Sequence, residues 1–591
     1  EEQIREVRDN LPRRYYNELP KLGSGLYRGY PRVYAMAMEM VSHMDGRIDE
    51  DMLLRFVRAY QSVSPLSSGE LWAISLMIRI GLIESLSRIS IYIMEVLEQK
   101  KNADRWAERL GIAAGKSLTE LIREEIEHDR HLEVLVPTYA AQLLQRLRDQ
   151  GVTAAPVVRW LDEKLASQGI SAEDAIRYDN QEQAVNRVSM GNAITSLRFI
   201  TGLNWPELFE KLSPVDRILR KDPDGTYPLM DFETRDDYRH EVERLAKVTG
   251  IAEIHVARKA IECAEQNKQE GNPDRRCSHV GYYLVGKGRL QLEEKLGYRH
   301  KGLKRISGAF AKYPAFFYLG AIVLLTAGIV SALTFYAFDS YNEAGFIIPF
   351  INAVLVLVPA GELAVGAVNW AVTSFIKPRR LPKLELKEGI PGEMKTMVVI
   401  PVLLTDEKRV GELIDQMEVY YMANYEENLY FALLGDFSDA PAKQMPDDEM
   451  ITDAAVRGVK ELNNRYSNNR GDVFYFFHRD RRWNPAQGVW IGWERKRGKL
   501  IEFNAMLREE GDGKFSVKVG DLSKLSEIKY VITLDADTQL PRDAARKLIG
   551  TIAHPLNAPI LNDKRTRVVE GYGILQPRIC ITISSASRSN F

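Results

Sequence analysis

The sequence predicts a multidomain chain: an all-α domain, a transmembrane helical hairpin, and an α/β domain. Three observations predict it. Apolar residues recur at helical spacing through 1–312, two long apolar runs fill 313–376, and from 396 onward short β-rich apolar runs alternate with charged stretches. Residues 377–395 read as a linker before the last domain, 396–591. A chain of 591 residues is too long for one hydrophobic core, so about three or four domains are expected.

In the first domain Leu53, Leu54, Phe56, Val57 and Tyr60, then Leu71, Ile74, Met77, Ile78 and Leu82, recur at spacings of three and four. Ser67 and Ser68 before Glu70 supply a cap and a first-turn acid, so a long helix is expected to start there. Glu124, Glu125, Glu127, His128 and His131 share one helical stretch, but a carboxylate-bridged metal site needs a second such helix. None is recognisable, and the group reads as a solvated helix face. No chemistry is assigned to this domain, which is expected to be cytoplasmic.

Lys plus Arg number 80 against 81 Asp plus Glu, a balance that gives no global field for nucleic acid and excludes it as a partner. Cys263, Cys277 and Cys580 form no CxxC pair and no disulfide framework, which fits structural roles in a reducing compartment. The sequence opens on Glu1 without Met or a secretory signal and stops at Phe591 without a structural stop signal. It reads as a piece of a longer polypeptide with further C-terminal domains.

Residues 314–338 carry no charged side chain, and about 20 apolar residues suffice to cross a bilayer. The second run, 344–376, carries Glu362, Pro349 and Pro359 and is longer than a crossing needs, so it is expected to tilt, kink or end in the interface. Glu362 reads as a residue near the headgroups or the bundle interior. The connector 339–343 is acidic. Lys301, Lys304, Arg305 and Lys312 precede the hairpin and Lys377, Arg379, Arg380 and Lys383 follow it, so both flanks are expected on the cytoplasmic side.

The last domain shows four buried-strand runs, 397–404, 429–434, 473–477 and 530–534, separated by helix-like stretches. That alternation predicts a mainly parallel sheet whose ligands sit at the carboxyl ends of its strands. The fourth run ends in Asp535 and Asp537. Two carboxylates at a strand exit suit Mg²⁺ or Mn²⁺ held by a nucleotide diphosphate, and such an ion stabilises a departing diphosphate. Asp436, after the second run, is a candidate acceptor for the base or ribose. Between them lies a cationic stretch, Arg495 to Lys499, leading to Asn504; charge and backbone N–H groups there suit a diphosphate. Trp483, Trp490 and Trp493 are candidates for stacking on sugar rings.

In this order the elements resemble GT-A glycosyltransferases: an opening strand, a first Asp (Asp436), a basic loop from Lys499 to Asn504, and the DxD motif Asp535 to Asp537. Longer strings narrow the resemblance to cyclic β-1,2-glucan synthases: Trp-Glu-Arg-Lys-Arg-Gly-Lys-Leu at 493–500, Leu-Asp-Ala-Asp-Thr-Gln-Leu-Pro-Arg at 534–542 and Gly-Ile-Leu-Gln-Pro-Arg at 573–578. The helical half agrees through Tyr227, Pro228, Met230, Asp231, Phe232, Thr234 and Arg235, and through His279, Val280, Gly281, Tyr282, Tyr283 and Leu284. The resemblance implies a GT-A-like α/β domain in a bacterial inner-membrane enzyme. It implies transfer of glucose from UDP-glucose with inversion, processively, onto a growing β-1,2-glucan.

On that resemblance Asp535 and Asp537 hold metal and diphosphate, Lys499 meets the diphosphate, and Thr405 and Asp436 serve the uridine. The base and the acceptor-holding Arg-Trp motif of related polymerases are not recognisable before Phe591, so this piece is expected to bind donor without a complete catalytic site. Three other readings are weighed. An aspartyl-nucleophile phosphatase needs Asp-x-Asp-x-Thr in its first strand, whereas Thr538 comes one residue early and the motif follows the fourth run. A membrane scaffold with a degenerate transferase fold is opposed by the intact Asp535, Asp537 and Lys499. A different polysaccharide synthase of the same fold is the third.

Overall fold

The computed structural model describes residues 2–112, 135–149, 155–271, 273–298, 313–340, 347–376, 378–466, 471–508 and 514–578. The chain divides into two compact units, Glu1–Arg217 and Ile218–Phe591. The helical domain expected over 1–312 is therefore shared between them.

The first unit is helical. Its longest helix, Ser68–Ile112, begins where the cap was read: Ser67 N donates to Glu70 Oε2 at 2.9 Å and Glu70 N to Ser67 Oγ at 3.3 Å, a reciprocal capping box. Leu53, Val57, Leu71, Ile74, Met77, Ile78 and Leu82 join Met36, Met40 and Phe209 in one core, with Leu54, Phe56 and Tyr60 packed at its edge. The acidic and histidine cluster at 124–131 lies outside the described residues.

The second unit contains two helices long and apolar enough to cross a membrane, Pro314–Phe338 and Pro349–Phe375. They pack on each other through Tyr318 Oη to Asn369 Oδ1 at 2.8 Å and Asn352 Nδ2 to the Leu333 carbonyl at 3.2 Å. Ala360 and Ala364, one turn apart, are buried, and small residues at this spacing let helices approach closely. Glu362 is exposed on the hairpin's outer surface. Of the basic flanking residues, Lys301, Lys304, Arg305, Lys312 and Lys377 lie outside the described residues.

The described residues of the second unit include nine strands: β1 (Thr396–Leu404), β2 (Leu429–Phe437), β3 (Phe474–Arg479), β4 (Arg482–Asn484), β5 (Val489–Ile491), β6 (Val517–Val519), β7 (Tyr530–Thr533), β8 (Ile560–Leu561) and β9 (Val568–Glu570). Five form one mixed sheet in the order β6-β3-β2-β1-β7. β1 is parallel to β2 and β7, β2 to β3, and only the β6 edge is antiparallel. Alternate residues of β1 serve opposite faces. Val398, Ile400, Val402 and Leu404 pack with Leu413, Met417 and Val459, whereas Met397 and Val399 pack with Phe477 and Phe503. With both faces covered, the strands carry continuous apolar runs instead of alternating ones.

The stretch expected as a linker is docked. Asp231 N donates to the Lys383 carbonyl at 3.2 Å, Glu385 N to Leu229 at 2.8 Å and Leu384 N to Gly550 at 3.0 Å. It is held between the segment around Met230 and the helix Ala544–Ala553. Beside it, Asp222, His279, Tyr238 and His554 form a buried polar cluster. Cys263 and Cys277 are buried and free; Cys580 lies outside the described residues.

Candidate functional site

From β1 the chain lays β2 and β3 on one side and returns to place β7 on the other. Strand order therefore reverses between β1 and β7, the point at whose carboxyl ends open α/β sheets form their ligand crevice. Thr405 leaves β1 there, and Asp535 leaves β7. Leu534 N extends the pairing to the Val399 carbonyl at 3.0 Å, after which Thr538 N donates to the Asp535 carbonyl at 2.9 Å and closes a turn. Tyr420 Oη donates to the Thr538 carbonyl at 2.7 Å, fixing that turn from the helix Glu407–Ala423. Asp535 and Asp537 are both exposed on it.

Asp436 is different. It is 1% exposed and accepts from Arg479 Nε at 2.9 Å and Nη2 at 2.7 Å. Arg479 also reaches Glu502 Oε2 at 2.9 Å. Lys499, expected to meet a diphosphate, is 2% exposed, and its ammonium lies 2.7 Å from the Val402 carbonyl, 2.9 Å from the Leu434 carbonyl and 3.2 Å from Asp436 Oδ2. An ammonium has three hydrogens, and three acceptors take them. Burial pushes the Lys499 pKa down to about 8, with Asp436 acting against the fall. Lys499 thus ties the ends of β1 and β2 together beneath the crevice, because the helix Arg495–Leu507 turns this position inward with Glu502 and Phe503.

Asn504 lies on the exposed face of that helix, at helical spacing from exposed Arg497 and Ile501 and apart from Lys499. Thr405 is exposed and donates to Asp406 Oδ2 at 2.9 Å. Trp483 and Trp490 are cross-strand partners in the β4–β5 hairpin, with ring centroids 5.8 Å apart. Trp490 exchanges backbone bonds of 2.8 and 2.9 Å with Ala440, which ties this hairpin to the loop after β2. Trp493 is 40% exposed, with the Arg482 guanidinium 6.0 Å from its ring centroid.

The loop feeding this helix takes an unusual path. Glu494 and Arg495 have φ of 51° and 47°, a left-handed conformation that is costly without glycine. Gly492 packs where a Cβ would lie 2.7 Å from Asp436 Oδ2, and Gly498 lies directly on the Trp493 carbonyl. The result presents cations to the strand ends: Arg495 Nη2 lies 2.7 Å from Asp439 Oδ2, and Lys496 forms an ion pair with Asp535. Arg479 was missed from sequence, and within the cationic stretch Arg495 to Lys499 it was Lys499, not Lys496, that was singled out. The signal for Arg479 is an arginine closing the apolar run of β3, in register with Asp436.

Among the described residues no group of three or more metal-ligating side chains is assembled. Asp535 and Asp537 still fit a hard divalent cation, since exposed carboxylate oxygens leave further positions for phosphate and water.

No protein-family model matches the chain. It is 36% identical over 596 residues to the cyclic beta-(1,2)-glucan synthase NdvB of Rhizobium meliloti (strain 1021). The chain is related to a cyclic glucan synthase over its whole length. That bears out the resemblance drawn from the strings at 493–500, 534–542 and 573–578. The alignment takes in 100% of this chain and 20% of NdvB, so the chain spans one fifth of that relative's length.

Proposed function

We propose that this chain is the membrane and donor-binding part of a glycosyltransferase that builds cyclic β-1,2-glucan from UDP-glucose. The observation that carries this reading is the position of Asp535 and Asp537. They leave β7 exposed at the switch point of the sheet, facing the cationic start of the helix Arg495–Leu507 through Lys496. A nucleotide diphosphate placed there meets fixed positive charge and helix N–H groups.

In this reading the domain is of the GT-A type, Asp535 and Asp537 are its DxD motif, and they hold Mg²⁺ or Mn²⁺. When bound, the ion supplies charge stabilisation for the leaving diphosphate. Thr405 borders the nucleotide. The locked Asp436–Arg479–Lys499 cluster forms the floor beneath it, and the exposed rings of Trp483 and Trp493 stack on sugar. Transfer is inverting and processive, onto a growing glucan. The apolar hairpin anchors the chain in the bacterial inner membrane with the helical and transferase parts on the cytoplasmic side, where UDP-glucose is found, and further domains of the same polypeptide complete the enzyme.

The test is calorimetric titration of UDP and UDP-glucose into the detergent-solubilised chain with Mg²⁺, Mn²⁺ or EDTA, in the parent and in Asp537→Ala. Metal-dependent binding that disappears in the variant is expected. A folded parent that binds neither nucleotide overturns the reading and favours a scaffold role.

A further inference from the structure

We propose that the loop 21–31 of the first unit, with Tyr34 and Glu84, is a binding site for a glucan chain. The choice of ligand rests on the reading that this polypeptide builds a glucan, whereas the site is built by residues outside the unit that holds Asp535 and Asp537. Tyr15, Tyr16, Tyr27, Tyr30 and Tyr34 all fall between positions 15 and 34. The loop among them is closed at its base, where Leu22 N donates to the Tyr30 carbonyl at 3.0 Å, Gly29 N to the Leu22 carbonyl at 2.9 Å and Arg32 N to the Pro20 carbonyl at 3.0 Å. Gly25 and Gly29 make its turns with φ of 87° and 86°, which glycine adopts without strain. The base is anchored in turn: Arg32 donates to Ser64 Oγ at 2.7 Å and to the buried Glu70 at 2.6 Å, and Tyr15 Oη to the Gly69 carbonyl at 2.5 Å. A compact loop with its ends tied this way holds its side chains in place.

What the loop displays is aromatic and polar at once. Tyr30 and Tyr34 stack with ring centroids 5.1 Å apart, and Tyr27 meets Tyr34 edge-on at 5.8 Å. Tyr30 is 49% exposed. Tyr34 Oη donates to Glu84 Oε2 at 2.9 Å, and burial, followed by this carboxylate, pushes the Tyr34 pKa up to about 12. The phenol therefore keeps its proton and the bond persists at neutral pH. Among the described residues, Glu84 Oε1 and the Tyr27 and Tyr30 hydroxyls have no protein partner. An open ring face beside a free carboxylate oxygen and free phenols matches a hexose, whose C–H face lies on the ring while its hydroxyls reach the polar groups. A phosphorylated ligand would bring its charge against Glu84; a neutral polyhydroxyl chain does not.

The experiment is titration of linear β-1,2-gluco-oligosaccharides, read by saturation-transfer difference NMR, with the detergent-solubilised chain and with Tyr30→Ala, Tyr30→Phe and Leu26→Ser. UDP with Mn²⁺ is titrated into the same samples. In the parent, saturation is expected to pass to the ring C–H protons of the sugar. Tyr30→Ala is expected to bind the oligosaccharide about two- to twelvefold more weakly, the range that a lost ring contact supports, and Tyr30→Phe to recover most of the loss because it keeps the ring face. Leu26 stands 88% exposed at the loop's tip, where a loop entering a bilayer would use it; Leu26→Ser is expected to bind the sugar like the parent. Unchanged UDP binding in each variant shows that it is folded. Equal oligosaccharide affinity in parent and Tyr30→Ala, or an equal loss in Leu26→Ser, overturns the site. A parent that binds UDP and no oligosaccharide overturns the glucan site alone. One that binds oligosaccharide through Tyr30 and no UDP supports the site and overturns the donor-site reading.

Discussion

Arg479 holds Asp436 through two parallel hydrogen bonds, Nε to Oδ1 at 2.9 Å and Nη2 to Oδ2 at 2.7 Å, with both side chains 2% exposed. Glu502 on the other edge of the guanidinium, itself also paired with Arg482, and Lys499 beside Asp436 complete a set of three cations and two anions. Such a set is tolerable under a sheet edge only while it is complete. Arg479→Met leaves Asp436 to Lys499 and Glu502 to the half-exposed Arg482, and its expected cost is about 3–5 kcal/mol. Arg479→Lys is expected to recover little, because an ammonium cannot form the two-pronged contact. Thermal and denaturant unfolding of the detergent-solubilised chain reads both; a loss below about 1 kcal/mol for Arg479→Met would show that the cluster contributes little.

Gly498 tests the loop. Its missing Cβ would fall on the Trp493 carbonyl oxygen and against the Trp493 ring, so Gly498→Ala must move main chain as well as side chain. Overpacking of this kind costs about 1–3 kcal/mol. UDP affinity is expected to fall as well, since the displaced segment carries Arg495 and Lys496. Gly411→Ala, where a Cβ meets nothing within 4 Å, is the matched control and is expected to be neutral or slightly stabilising. Equal UDP affinity in parent and Gly498→Ala would detach the loop from the site.

His478 sets an acid limit. It is 2% exposed, neither ring nitrogen has a hydrogen-bond partner, and its ring packs 4.2 Å from that of Phe437. Burial pushes its pKa down to about 4, against the opposing charges of Asp436 and Asp480 and with a smaller contribution from Lys499. An unfolded histidine titrates near 6.5, so between about pH 6.5 and 4 the unfolded chain binds a proton that the folded chain refuses. Stability from this group is therefore complete above pH 6.5 and falls with decreasing pH, by an amount of the order of 3 kcal/mol at pH 4. His478→Phe is expected to narrow the difference in unfolding temperature between pH 7 and pH 5. An unchanged difference would assign the acid sensitivity elsewhere.

The large strands were legible because both faces of the sheet are covered, which turns β1, β2 and β3 into unbroken apolar runs. The short strands were not. Val517–Val519 has Lys518 at its centre, and β8 is two residues long; tertiary pairing makes these strands, not composition. Asp535 and Asp537 could be found because they follow a run that ends abruptly. The environments of Lys499 and Arg479 could not, since only the strand register and the close approach at Gly492 and Gly498 decide which cation is sealed and which is open. The unit boundary at Arg217 was equally hidden, because it depends on contacts such as His554 Nε2 to Met230 Sδ at 3.2 Å, across more than three hundred positions of sequence.

The strings around Tyr227 and His279 have a structural role that leads to a last prediction. Asp222 Oδ1 accepts from Val280 N at 2.8 Å, and Oδ2 accepts from Tyr227 N at 3.0 Å and pairs with His279 Nδ1 at 2.7 Å. His279 Nε2 meets Tyr238 Oη at 3.2 Å, and its ring packs edge-on to His554. Burial raises the Asp222 pKa, but His279 and the two amides outweigh it and leave the carboxyl below its ordinary value, so the stability it supplies is present at neutral pH and is lost only in acid. Asp222→Asn turns an N–H₂ group toward donors that need acceptors, at an expected cost of about 2–4 kcal/mol. His554 follows the helix Ala544–Ala553, the first helix after the Asp535–Asp537 turn. Loosening this cluster should therefore free the docked stretch around Leu384, raise protease cleavage there, and weaken UDP binding although Asp222 is remote in sequence from every residue assigned to the donor. Unaltered unfolding and cleavage in Asp222→Asn would show that the helical segment and the sheet are held together by their apolar contacts alone.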